Sequence, residues 1–252
     1  MLDRGHALTA QRGIHRHTHR PQGWRVLVDK GLRIVLEHGK AKTFASALDW
    51  PGWSRSGKKS PEAAIDALLE YRKRYGAVVA LAKGIAFPDG ELTLAVEEDQ
   101  KGDGQTDYGV PGQVAASEFA SIEGEELDRQ IAILQACWTC FDRVRAKVSP
   151  TLRKGTRGGG RDRDEIVEHV LAAEGGYARH LGLERPDVVL DDVAVLADQR
   201  AIVAAALREH GPAGIVPGRK WPVRYTIRRM AWHVMDHTWE MEDKDLSGDN
   251  TQ

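Results

Sequence analysis

Arg228-Arg229-Met230-Ala231-Trp232-His233-Val234-Met235-Asp236-His237-Thr238-Trp239-Glu240 reads as a helix with two histidines four residues apart. Residues at i and i+4 project from the same helix face, one turn apart. At 100° per residue, Ile227, Met230, Ala231, Val234, Thr238 and Met241 share one broad apolar face that should meet a core. His237 falls inside that face beside Met230, and His233 sits at its edge. Both imidazoles can therefore point inward near the rim. Two imidazoles so placed can bind one divalent cation, and a third ligand from elsewhere would complete a site with an open position. The bland alternative is a pair of core histidines that merely hydrogen-bond.

The rest of the C-terminal half also reads as helices joined by turns. Glu125 to Val148 starts acidic and ends basic, matching the helix macrodipole, and Ser149-Pro150 stops it. After a Gly- and Arg-rich connector, Arg163 to Leu181 forms a second helix with Gly182 as its stop. Val193 to His210 is a third, ended by Gly211-Pro212, and the fourth runs from Val223 to near Lys244. Four such helices point to a four-helix bundle of the up-and-down type. On the second helix Ile166, Val170, Ala173 and Tyr177 form an apolar face that carries His169, with His180 further along towards a solvent-exposed end. In an antiparallel bundle His169 is the better third partner for the pair.

Asp164-Glu165-Ile166-Val167-Glu168-His169-Val170-Leu171-Ala172-Ala173-Glu174, taken with His233-Val234-Met235-Asp236-His237, resembles the DinB/YfiT-like family of helical bundles. The resemblance spans roughly residues 124 to 244. It implies that His169, His233 and His237 are ligands of a divalent metal, and that the reaction is hydrolysis or transfer involving a low-molecular-weight thiol. Three neutral imidazoles suit Zn or Ni and leave positions for water or a small-molecule substrate. Asp236 is expected to face solvent, with support of a ligand histidine as the alternative. Whether the bundle forms a homodimer is left open.

The N-terminal half has a different texture. Trp24-Arg25-Val26-Leu27-Val28, Leu32-Arg33-Ile34-Val35-Leu36-Glu37 and Lys42 to Trp50 are β-prone, and Pro51-Gly52 breaks the last run. Ser60-Pro61-Glu62 opens a helix, with Ser at the N-cap and Pro in the first turn. Its apolar positions run from Ile65 to Leu81, and Glu91 to Glu97 is one further strand. The unit is roughly β-β-α-β, followed by a Gly-rich polar stretch from Lys101 to Gly112. The expected fold class is thus α+β, a small N-terminal domain over 23–115 and a bundle over 116–245. Phe44 to Trp53 with the Ser60-Pro61-Glu62-Ala63-Ala64 helix loosely resembles HicB-like antitoxin domains, although Trp-Pro-Gly-Trp replaces their usual Leu-Pro-Gly ending. That resemblance implies a protein partner for this unit and makes a non-enzymatic interaction module the alternative to an enzyme.

Composition sets the outer limits. The 252 residues carry a formal net charge of -1, so no global field favours nucleic acid or an anionic membrane. No apolar run approaches a membrane span, and the expected setting is cytoplasmic. Residues 1–22 hold His6, His15, His17 and His19 with little to bury and read as a disordered leader; 246–252 read as a tail. Cys137-Trp138-Thr139-Cys140 lies mid-helix with no second cysteine pair, so packing is expected rather than redox or zinc chemistry. Gly155 to Arg161 lacks the Lys-Ser/Thr ending of a phosphate loop. A flexible basic linker is the plainer reading, with Arg157, Arg161 and Arg163 as candidates to hold a substrate anion at the second helix's N-terminus.

Overall fold

A computed structural model of the chain describes residues 31–156, 158–184, 190 and 192–248. The leader, the Trp24–Val28 run, Arg157 and the tail beyond 248 lie outside the described residues. The fold is α+β, a four-stranded mixed sheet followed by helices that pack together.

Strands β1 (Leu32–His38), β2 (Lys42–Ala47) and β3 (Ser54–Lys58) form an antiparallel meander, and β4 (Leu94–Lys101) adds parallel to β1, giving the order β3-β2-β1-β4. β3 was not among the expected strands. Its Ser-Arg-Ser-Gly-Lys sequence has no apolar alternation, and pairing with β2 rather than propensity makes it extended. Gly57 is required there: a Cβ would fall 2.3 Å from the Ala63 carbonyl carbon of the helix lying on this strand. β4 begins three residues later than the expected Glu91 start, and the polar stretch after it contains a short helix, α3 (Gly104–Tyr108), capped by Asp103.

The helix opened by Ser60 forms as expected, with the Ser60 hydroxyl accepting from the Ala63 amide at 3.0 Å. Such a cap stabilises by about 1 kcal/mol. The apolar run to Leu81 is nevertheless two helices, α1 (Pro61–Glu70) and α2 (Arg72–Val79), with Tyr71 between them. Tyr71 packs against Trp239 at 4.8 Å and lies under the Arg55 guanidinium at 3.8 Å. The break lets α2 present Tyr75 to Trp53, stacked at 5.4 Å.

Trp50-Pro51-Gly52-Trp53 is part of the core rather than a surface turn. The Trp53 indole donates to the Leu68 carbonyl at 2.7 Å, and the Tyr75 hydroxyl donates to the Pro51 carbonyl at 2.8 Å. Gly52 has φ 95°, and a Cβ there would sit 3.2 Å from both Cys137 Sγ and Met235 Cγ. Glycine therefore lets this turn press onto two of the later helices. The buried residues of the sheet half and the helical half form one continuous apolar cluster.

The four long helices are α4 (Gly124–Arg145), α5 (Arg163–Ala178), α6 (Val193–His210) and α7 (Val223–Asp243). α7 packs on both α4 and α5, while α6 lies against α4. The face anticipated for α7, from Ile227 to Met241, is buried. So are Tyr225, Arg228, Arg229, Trp232, Met235 and Trp239 on its other sides. The sheet half covers them: Phe44 of β2 meets Trp232 edge-on at 6.2 Å, and Arg55 of β3 reaches Asp236 at 3.2 Å. α7 is a central helix, held on its outer side by the N-terminal half. The connection before α4 is fastened as well. Buried Glu37 accepts from the Thr106 hydroxyl and from the Gly112 and Gln113 amides.

Candidate metal centre

α5 and α7 bring three histidines together. His169 lies in the second turn of α5, after a start fixed by the Glu165 carboxylate accepting from the Asp162 amide at 2.8 Å. His233 and His237 are one turn apart on α7. One ligand atom from each of the three lies within 4.8 Å of the others. The ring centroids are 4.7 to 5.0 Å apart. Nε2 of His169 and Nε2 of His233 are 3.2 Å apart. Two nitrogens bound tetrahedrally at about 2.0–2.1 Å from one cation are separated by about 3.3 Å, so the His169–His233 pair has the spacing of a shared metal, and a wider separation, up to 4.8 Å, would have to close on binding.

The protonation states suit ligation. Burial first, then the His237 charge, holds His233 well below the ordinary histidine pKa of 6.5. Burial lowers His169 too, followed by His237 and Arg161. Both are neutral at neutral pH, the state in which imidazole binds a metal. Glu240 accepts from Nδ1 of His237 at 2.7 Å and from Lys244 Nζ at 2.6 Å. The His237 hydrogen bond is the main cause that brings the Glu240 carboxyl down to about 2. An ionised carboxylate only accepts, so Nδ1 of His237 carries a proton and Nε2 is the nitrogen left to act as a ligand atom. Among the described residues, the cluster holds three such groups and no fourth, which leaves room for water or substrate.

The remaining candidates fall elsewhere. His180 lies in the 3-10 turn after α5 and stacks on Trp221 at 4.1 Å, outside the cluster. Asp236 takes Arg55 as its partner rather than a ligand histidine or solvent alone. Arg161 is exposed, and its charge depresses both His169 and His233. Arg163 is engaged with Asp164 at 2.8 Å and with the Val148 carbonyl. Arg157 lies outside the described residues. Burial pushes the Cys137 thiol up strongly and Cys140 up to about 11, so both stay protonated and pack within α4.

Sequence reasoning missed Glu240, although it stands three residues after His237 in the same helix. Tyr177 was read as apolar packing; its ring also meets His233 edge-on at 5.6 Å and Trp221 at 5.2 Å, forming an aromatic wall beside the histidines. A cleft of about 1060 Å³ lies instead between the sheet half and α4, and no histidine lines it. Its arginines are occupied: Arg33 by Asp49, Arg224 by Glu126, Arg129 by the Asp49 carbonyl.

No family model, curated protein or solved structure matches the chain, so the DinB/YfiT-like and HicB-like resemblances rest on the residues quoted for them.

Proposed function

We propose that the chain is a divalent-metal-dependent enzyme acting on a small molecule, with His169, His233 and His237 as the metal ligands. The observation that carries this reading is the convergence of three imidazoles from two helices, one of them oriented by an ionised carboxylate. A hydrogen-bonding core pair would not need the third ring or Glu240.

A divalent cation such as Zn²⁺ or Ni²⁺ supplies Lewis acidity that brings a bound water or thiol towards ionisation near neutral pH. The chain's own groups prepare that role. Burial keeps His233 and His169 unprotonated, Glu240 fixes the orientation of His237, and the Tyr177 ring packs edge-on against His233. The reaction class carried over from the DinB/YfiT-like resemblance is hydrolysis or transfer with a low-molecular-weight thiol as co-substrate. The sheet half supports the ligand helix through Arg55–Asp236 and Tyr71–Trp239.

Metal analysis of tag-free protein lacking the His-rich residues 1–22 tests the proposal. About one zinc or nickel per chain is expected, lost in His169→Ala and in His233→Ala. Protein that folds and retains no metal would overturn it and leave the interaction-module reading, for which a bound protein partner is the positive sign.

A further inference from the structure

Two adjacent arginines on α7 are almost equally withdrawn from solvent, Arg228 at 3% and Arg229 at 8% exposure. Arg228 has a counter-ion: its Nε and Nη2 meet the two carboxylate oxygens of Glu118 at 2.6 and 2.8 Å. Arg229 makes no ion pair among the described residues, and its Nε and Nη1 are buried without an acceptor. Its guanidinium carbon lies 4.5 Å from the Trp232 ring centroid and 5.5 Å from that of Tyr177. The Tyr177 side chain also hydrogen-bonds the guanidinium, but ring faces do not accept N–H bonds in place of water, so Nε and Nη1 remain without an acceptor among the described residues.

The same stripe holds further N–H groups in the same condition. Trp232 Nε1 and His233 Nδ1 are also buried without a partner among the described residues. His233 points Nε2 at His169, so a cation held there leaves Nδ1 as an N–H donor. Residues 229, 232 and 233 stand at i, i+3 and i+4, one face of the helix. Tyr177 joins the two ends of this stripe, since its ring meets both His233 and the Arg229 guanidinium. Asp236 feels the Arg229 charge but pairs with Arg55, so among the described residues no carboxylate accepts from this stripe. Arg229 and Arg161 both add positive charge felt at His233, which favours an anion further.

We infer that Arg229 binds the carboxylate of a small-molecule substrate beside the three histidines. As a statement about the substrate, this rests on the metal-enzyme reading; as a statement about anion binding, it stands on Arg229 alone. A guanidinium with two unsatisfied nitrogens between two ring faces fits a planar monoanion, which it recognises through charge-assisted hydrogen bonds.

The test is calorimetric titration of full-length, tag-free protein, zinc-loaded and chelator-treated, with benzoate, pyruvate, benzamide and inorganic phosphate. At least one carboxylate should bind the wild type in preference to benzamide and phosphate. Its affinity should fall about tenfold or more in Arg229→Met and Arg229→Gln with zinc content unchanged. Ligand-free Arg229→Met should unfold at the same temperature as wild type or higher, because an unpaired buried charge has been removed; a purely structural arginine would give the opposite shift. Equal carboxylate binding by wild type and both variants, tighter binding of phosphate or benzamide, or no carboxylate binding at millimolar concentration would each overturn the inference. Failure of the wild type to retain zinc would count against the metal reading, while the chelator-treated titrations would still decide Arg229.

Discussion

Glu240 accepts a hydrogen bond from Nδ1 of His237 at 2.7 Å, and this contact selects the nitrogen that His237 turns towards the other two histidines. The same carboxylate is held by Lys244, four residues on, at 2.6 Å. Carboxylate partners of this kind fix ring orientation and raise the basicity of the ligand nitrogen. On the proposed metal reading, Glu240→Gln should therefore weaken zinc binding by about 10- to 100-fold while leaving the fold intact. Competition against a chromophoric chelator reads this directly. Unchanged affinity would mean that the contact is an ordinary surface pair.

The histidines also set a pH dependence for the metal-free protein. His233 and His169 have folded pKa values below the 6.5 of the free side chain, chiefly through burial. Between the folded value and 6.5 the unfolded chain binds more protons, so stability rises with pH through that window and is complete above it. The metal-free protein should thus lose stability as pH falls below about 6.5. A separate loss follows at lower pH. Glu240, brought down from 4.5 to about 2, contributes stability that is full above 4.5 and disappears on the way to about 2. Thermal midpoints across this range should show the first loss flattened in His233→Gln and the second flattened in Glu240→Gln.

How far these features were legible in the sequence differs by residue. The helical period exposed the inward stripe of α7 because Ile227 to Met241 recur at its spacing, and it put His233 and His237 on the same turn-to-turn line. It could not show that Trp232 and Trp239 would be covered too, since that depends on β2 and α1–α2 arriving from far along the chain. β3 was invisible for a related reason: Ser54 to Lys58 is polar, and its strand exists through pairing with β2. Glu240 was within the quoted stretch, yet spacing alone does not say whether His237 turns Nδ1 towards it or towards solvent. Arg229 is the extreme case, because a missing partner leaves no mark in a sequence.

Arg228 and Glu118 supply the contrasting prediction about α7. Their bidentate pair is buried on both sides, at 3% and 4% side-chain exposure, and Glu118 also accepts from the Ala115 amide at 2.8 Å. Arg228 further donates to the Gln113 carbonyl at 3.1 Å, so the pair fastens the connection before α4 onto α7. Removing one partner leaves the other charge buried and unpaired, which costs about 3–5 kcal/mol. Glu118→Ala should therefore destabilise strongly in denaturant unfolding. The double variant Glu118→Leu with Arg228→Met should recover most of that loss, because two well-packed apolar groups need no counter-charge. Arg229→Met, one residue along, should show no such loss. A double-mutant cycle that finds no coupling between positions 118 and 228 would mean that the pair is not what holds this connection to α7.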